Sequence, residues 1–409
     1  MKKFLAILVS ALLLTTMLLG AAVAEAPVTI RFLNGFTGGD GAFMKKITDG
    51  FNASQSKYVV EELQEKDHYV KFETGEYDLV VIHGDLLPTY QINGAIQPVD
   101  SLYEAAGLKP EDFHPTGAAM VTLEDQQYAF PLDIHPLTMF YNKKLVPEAP
   151  KTYEDILALA GKLGDNVYPM GIPGSGLSEW YMMFLAAQNN VELTDEGALK
   201  FDTPEFAEVL LKLNQMLFVD KVSPVGLGLD GEFTTFMTDK PDASAVQTAV
   251  ALTGPWFYTA ALEKYGEDLG VAPLPVIGKG PGSYGGAHTI AVSAKVTDPA
   301  KLEAIAEYMK YMFTTENLLN WADSGQAPLY LPVIEYLAAH QEEYPLSYTN
   351  SLQFENTRIA PPVYNVREQS QYLGSTIYNL VVTKEGLTLD ELMPELEKAT
   401  SLAREIADE

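Results

Sequence analysis

The sequence predicts an α/β protein built as two domains, and three observations carry that expectation. Strand-like and helix-like segments alternate along the chain, which points to layered α/β architecture. The first residues past the N-terminal apolar segment read as strand, helix and strand, opening a parallel sheet. Subtracting a 24-residue leader from 409 residues leaves 385, beyond the ~250–300 at which a single core stops growing.

The leader is Met1-Lys2-Lys3 followed by an apolar run from Phe4 to Gly20 and Ala21-Ala22-Val23-Ala24-Glu25-Ala26. A basic start, an apolar stretch and small residues at A-x-A spacing read as a signal peptide, residues 1–24, cleaved after Ala24 or Ala26. The other reading is a retained anchor, because the run approaches the ~20 residues of a spanning helix. Pro27–Leu33 then has strand character, broken by Gly35 and Gly38-Gly39-Asp40-Gly41. The next helix has Phe43, Ile47 and Phe51 on one face, with Asp40 as its cap. Tyr58–Leu63 is a second strand. Tyr77–His83 is a third, and its nearly unbroken apolarity suits a parallel strand covered on both faces. Ligands of such sheets sit outside the carboxyl ends of the strands, which nominates the loops Asn34–Asp40 and His83–Leu86. Further helices are expected over Tyr153–Leu163 behind Thr152, Glu205–Phe218 behind Thr203-Pro204, Pro299–Phe313 and Leu389–Ile406. A glycine-rich loop, Gly278–Gly286, precedes a strand over His288–Ser293.

Composition removes several function classes. There is no cysteine, so disulfides, thiolate metal sites and cysteine nucleophiles are excluded. The formal charge is −28, and loss of Lys2 and Lys3 takes it to −30. Such a field repels nucleic acid and anionic membranes. The glycine-rich loop lacks the order of a phosphate-binding P-loop, and a strand follows it instead of a helix. None of the six histidines stands at metal-ligand spacing, so neither a metal site nor a cofactor is expected. Leu229-Asp230-Gly231-Glu232 lacks the alternating acids of a calcium loop and reads as an exposed turn. No G-x-S-x-G elbow is present. Carboxylate pairs remain available for glycosidase chemistry among 55 acids.

The aromatic residues say more. Trp180, Trp256 and Trp321 each stand near glycine or proline. Flat aromatic faces suit the apolar faces of pyranose rings, with carboxylates and amides for the hydroxyls. Any one tryptophan is more often core. Trp256 differs because Gly254-Pro255 ends the strand-like Ala249–Leu252 just before it, at the carboxyl end where such sheets bind ligands.

Taken in order, several weak pieces form a specific set: Val28–Phe51, Tyr77–Val81, Gly94–Asp100, Tyr128–Pro131 with Met139–Leu145, Pro150–Asp155, Ala251–Trp256, Gly285–Val292, Met312–Glu316 and Gly325–Pro328. Together they resemble the extracytoplasmic solute-binding proteins of ABC importers, in the maltose and oligosaccharide cluster. The chain departs from that pattern in lacking an anchoring cysteine and in having Tyr153 where the family often has tryptophan. The resemblance implies a two-lobed, periplasmic-binding-protein-like α/β fold with a cleft between lobes. Strand crossovers near His135, Gly286 and Leu331 would make residues 27–135 plus 287–331 one lobe, and 136–286 plus 332–409 the other. It implies a monomeric, non-enzymatic receptor outside the cytoplasmic membrane that passes a sugar or short oligosaccharide to importer subunits. The alternatives are another solute (a polyamine, a peptide or a metal chelate) and a secreted glycoside hydrolase. By position, the cleft-lining loops map to Asn34, Phe36, Asp40, His83, Asp85, Asp133 and His135, then to Trp180, Trp256, Tyr284, Gly285 and Gly286. Arg367 and Tyr372 are further candidates. Trp256 would be the stacking platform, and Asp40, Asp85 and Asp133 the acceptors for hydroxyl groups.

Overall fold

The computed structural model describes residues 26–239 and 245–408. The expected leader, residues 1–24, lies outside them. Strand β1 (Val28–Asn34) leads through helix α1 (Gly41–Ser54) to β2 (Tyr58–Gln64), and β3 (Leu79–His83) follows. β1 pairs in parallel with both strands, Ile30 opposite Val60 and Leu33 opposite Val80. The buried face of α1 is Met44, Ile47 and Phe51, with Phe43 at its edge. Asp40 precedes this helix but makes no side-chain cap bond. Strand β4 (Ala129–Pro136) is buried along its whole length.

At Leu137 the chain passes into a second sheet. It contains β5 (Thr138–Asn142), and then come helix α2 (Tyr153–Ala160), strand β6 (Val167–Met170) and helices α3 (Ser178–Gln188) and α4 (Pro204–Phe218). Strands β7 (Gln247–Thr253) and β8 (Leu269–Ala272) complete the order β8-β5-β7-β6. The expected caps form: Thr152 accepts from the Asp155 amide, and Thr203 from the Phe206 amide. α3 is buried on nearly all sides, from Tyr181 to Gln188, so its hydrophobic pattern has no helical period to read.

Strand β9 (Ser283–Val292) returns to the first sheet. It starts five residues earlier than the sequence suggested, because Gly285 and Gly286 are inside the strand, opposite Pro136 and His135. A Cβ on Gly285 would lie 2.8 Å from the Pro136 Cα. Helices α5 (Pro299–Met312) and α6 (Thr315–Ala322), strand β10 (Ala327–Pro328) and helix α7 (Leu331–Ala339) stay with that sheet. Val333 and Leu337 bury in the same core as Ile30 and Trp321. Leu346, on helix α8 (Pro345–Ser351), joins Phe140 of the second sheet. Past Leu337 the chain touches both cores, because Phe354 shares a cluster with Ile134 and Ala287 of the first sheet. Strand β11 (Thr357–Arg358), helix α9 (Val366–Tyr372) and helix α10 (Leu389–Ala407) end the chain. The first sheet has seven strands, β10-β4-β9-β3-β1-β2 with β11 beside the start of β9. Among the described residues no helix is long and apolar enough to cross a membrane.

Only the first half of the Leu229–Glu232 segment is an exposed turn. Asp230 adopts a left-handed φ of 50°, Gly231 opens a short helix, and Glu232 is fully buried. One of its oxygens accepts from Thr253 Oγ1 at 3.1 Å and the other has no partner. Burial pushes its carboxyl up to about 7, only partly offset by backbone and Thr253 hydrogen bonds. The folded chain thus holds a proton that the unfolded chain releases. The resulting stability is complete below about pH 4.5 and is lost as pH climbs to about 7. On the order of 3 kcal/mol is at stake at 1.36 kcal/mol per pH unit. Urea midpoints at pH 5 and pH 8 will show this fall in the native protein and a smaller one in Glu232→Gln. An equal fall in both would remove Glu232 as its source.

Candidate functional site

Three adjacent strands build the floor of the site. In β9, His288 stands opposite His83 of β3 and Asp133 of β4, while Gly286 stands opposite His135. The two-residue period of a strand puts Asp133, His135, Gly286, His288 and His83 on one face. Asp133 is completely buried and accepts from three donors. The Nδ1 atoms of His135 and His288 lie 2.9 and 3.0 Å from Oδ1, and Trp321 Nε1 donates to Oδ2 at 2.7 Å. Burial alone would raise its pKa, but the adjacent His288 and His135 override that and hold it well below the usual carboxylate range. Burial, then the neighbouring His288, lowers the pKa of His135. His83 is driven well below its ordinary value by burial, then by His288 and His135. Its Nδ1 meets Tyr69 Oη at 2.5 Å.

Above this floor lie two cavities that share His83 and Trp180. One, of about 280 Å³, is walled by Asp85, Glu179, Tyr284 and Arg367, with Gly285 and Gly286 at its base. The other, of about 260 Å³, is walled by Phe36, Asp40, His68, His135, Trp256 and Gln326. Each is near the lower end of small-molecule pockets, ~300–1,000 Å³. Trp180, in the first turn of α3, lies parallel to His135 with centroids 6.1 Å apart. It meets Trp256 and Tyr284 edge-to-face at 5.6 and 5.5 Å. Trp256 occupies a single 3-10 turn after β7, where Gly254-Pro255 ends the strand. Arg367 of α9 grips Asp85 in two-pronged fashion, Nε to Oδ2 at 2.6 Å and Nη2 to Oδ1 at 3.1 Å. The pair ties the loop after β3 to α9. Glu179 beside it is pushed up to about 7, first by burial and then by Asp85, while Ser370 Oγ donates to it at 3.2 Å.

Of the residues nominated from sequence, Phe36, Asp40, His83, His135, Trp180 and Trp256 wall the smaller cavity. Asp85, Tyr284, Gly285, Gly286 and Arg367 wall the larger. Three sit elsewhere. Asn34 is buried beneath its loop, donating to Glu62 Oε1 at 2.9 Å and accepting from the Phe36 amide at 3.1 Å. Asp133 lies under the floor with its acceptor sites taken, so it positions the rings above it instead of meeting hydroxyls. Tyr372 donates to Glu395 Oε2 at 2.6 Å, with Lys398 over its ring. At 3.6 residues per turn it points well away from Arg367, five residues earlier on the same helix. Residues that sequence reasoning missed are His68, Glu179, His288, Gln326 and Ser370. His68 is 5% exposed and neither ring nitrogen has a hydrogen-bond partner. The expectation of no metal cluster rested on spacing along the chain, and pairing of separate strands overturns that ground. His83, His135 and His288 each offer a ring nitrogen within 4.8 Å of the others.

Known proteins resemble this chain in sequence and in fold. The chain is 24% identical over 267 residues to the maltotriose-binding protein of Pyrococcus abyssi, covering 63% of this chain and about half, 55%, of that one. It is 24% identical over 364 residues to the sn-glycerol-3-phosphate-binding periplasmic protein UgpB of Brucella abortus, 81% of each. Its fold matches the GacH receptor of Streptomyces glaucescens, solved unliganded and with acarbose, at a TM-score of 0.78. That match has 18% identity and covers 94% of this chain and all of that one. The fold is thus the two-lobed α/β fold of periplasmic solute-binding proteins. The sequence pattern described as bacterial extracellular solute-binding protein matches residues 61–345, most of the chain, and to that family this protein belongs.

Proposed function

We propose that the protein is a monomeric receptor outside the cytoplasmic membrane that binds a sugar or short oligosaccharide and delivers it to the membrane subunits of an ABC importer. The observation that carries this reading is the perpendicular Trp180–Trp256 pair between the two sheets, flanked by Asp40 in one cavity and by Asp85 and Glu179 in the other. Two flat faces at 89° cradle a sugar ring from below and from the side. Carboxylates and imidazoles around them match its hydroxyls. Saccharide binding in relatives of similar fold supports the same choice. No bond-making role is assigned to the carboxylates: the protein binds one solute per chain and releases it unchanged.

The two sheets act as two lobes, joined at Leu137, along β9 and past Leu337. Lobes joined by so few strands close by hinge motion. Saturating ligand will therefore reduce the radius of gyration in small-angle scattering, and an unchanged radius would indicate a rigid cleft.

A saccharide panel will give one ligand of about micromolar affinity, ~8 kcal/mol. At ~100 times its dissociation constant it adds ~2.7 kcal/mol of stability, a rise of a few degrees in Tm. Glycerophosphodiesters, polyamines and peptides belong in the same panel. A shift with one of those and with no saccharide would overturn the sugar reading, and turnover of an oligosaccharide would make the protein a hydrolase. Trp256→Ala will weaken binding by about 2 kcal/mol, roughly thirtyfold, and will lower the denaturant midpoint little. A collapsed midpoint with normal binding by the folded fraction would make Trp256 a core residue, whose loss costs ~3–5 kcal/mol of stability.

A further inference from the structure

We propose that His83, His135 and His288 form a binding site for one divalent transition-metal ion, whose remaining coordination position faces the cavity beside Trp180 and Trp256. The three side chains come from neighbouring strands β3, β4 and β9, on the same face of the sheet. One nitrogen from each lies within 4.8 Å of the other two. In a tetrahedral site with metal–nitrogen bonds of 2.0–2.1 Å, such nitrogens stand about 3.4 Å apart. Ring rotation is what brings them to that spacing. Every Nδ1 is already engaged: with Tyr69 Oη for His83, and with Asp133 for His135 and His288. Nε2 is left as the donor on each ring. A carboxylate behind the imidazole, fixing its orientation and making it more basic, is the usual outer layer of a histidine metal site.

Two further observations point to a polar occupant. Asp133 is a fully buried carboxylate whose hydrogen-bond donors are two imidazoles and an indole, with no lysine or arginine among them. A cation held on those imidazoles supplies the opposite charge. Across the same cavity the nine-tenths-buried His68 has neither nitrogen partnered, and Gln326 Oε1 has no partner either. Three imidazoles favour zinc, nickel, cobalt or copper over magnesium and calcium, which take oxygen ligands. With three protein ligands, the fourth position is left for an oxygen of the solute or for water. Gly286 completes the site, because a Cβ there would lie 2.2 Å from His135 Nε2.

This inference does not depend on which solute the cleft takes, and its test uses metal alone. Co²⁺ titrated into the chelator-treated full chain will develop the visible absorption of a nitrogen-ligated ion, and Zn²⁺ calorimetry will give one ion per chain. His288→Asn will weaken binding roughly 100-fold, the upper end of what loss of even an outer partner costs. Gly286→Ala will weaken it too, with all the histidines in place. His340→Asn, changing an exposed histidine outside the cluster, will leave it unchanged. X-ray absorption of the zinc-loaded native protein will show imidazole scattering from three ligands, a readout that survives misfolding of any variant. Oxygen-only coordination, absence of one-to-one binding, or equal loss in His340→Asn would each overturn the site.

Discussion

Asp133 has no access to solvent, and its hydrogen bonds come from His135, His288 and Trp321. A buried carboxylate is costly unless its lone pairs are satisfied, so this cluster forms as a unit or leaves an uncompensated charge in the core. Its consequences spread outward. Trp321 is pinned to the floor from α6, and Phe36 packs on it at 4.7 Å, fixing the loop after β1. His135 is held flat under Trp180, which in turn orients Trp256 and Tyr284. One carboxylate thus sets the angle of most of the rings that wall the cleft.

The same strands that carry this cluster also join the two halves. β4 ends in the first sheet at Pro136 and β5 begins the second at Thr138. β9 runs back past both, with Gly285 and Gly286 pressed against His135 and Pro136. A site built at the passage between cores is sensitive to their relative position, because a rotation there moves residues of one sheet against residues of the other. The Asp85–Arg367 pair has the same character on a larger lever, tying the end of β3 to α9. Its Arg367 side is half-exposed, so its strength falls as salt screens it.

The cavities explain why charge in this very acidic chain is a poor guide to the ligand. The surface carries most of the carboxylates, whereas in the larger cavity one acid is paired and another changes its protonation. Asp85 is neutralised by Arg367, and burial raises Glu179 to about 7. Ring faces and hydrogen-bonding groups, more than net charge, shape the two cavities beside Trp180 and Trp256.

By itself the sequence determined the α/β class, the opening β-α-β unit and the capped helices after Thr152 and Thr203, and it nominated the loops after β1, β3 and β7, whose residues line the two cavities. Each of these is a local matter: strand and helix periods, cap residues and breakers act over a few residues. It also marked Trp256 and Trp180 by their neighbouring breakers. Tertiary structure alone decided which side chains meet. Asn34 and Asp133 carry the residue types of ligand acceptors, yet strand pairing and burial gave their acceptors to protein donors instead. His83, His135 and His288 have no common spacing, and His68 and Gln326 no motif. They converge because β3, β4 and β9 lie side by side in a register fixed by backbone pairing between segments more than 40 residues apart. Periodicity within one segment holds no information about such pairing, which is why this histidine cluster was decided only by the fold.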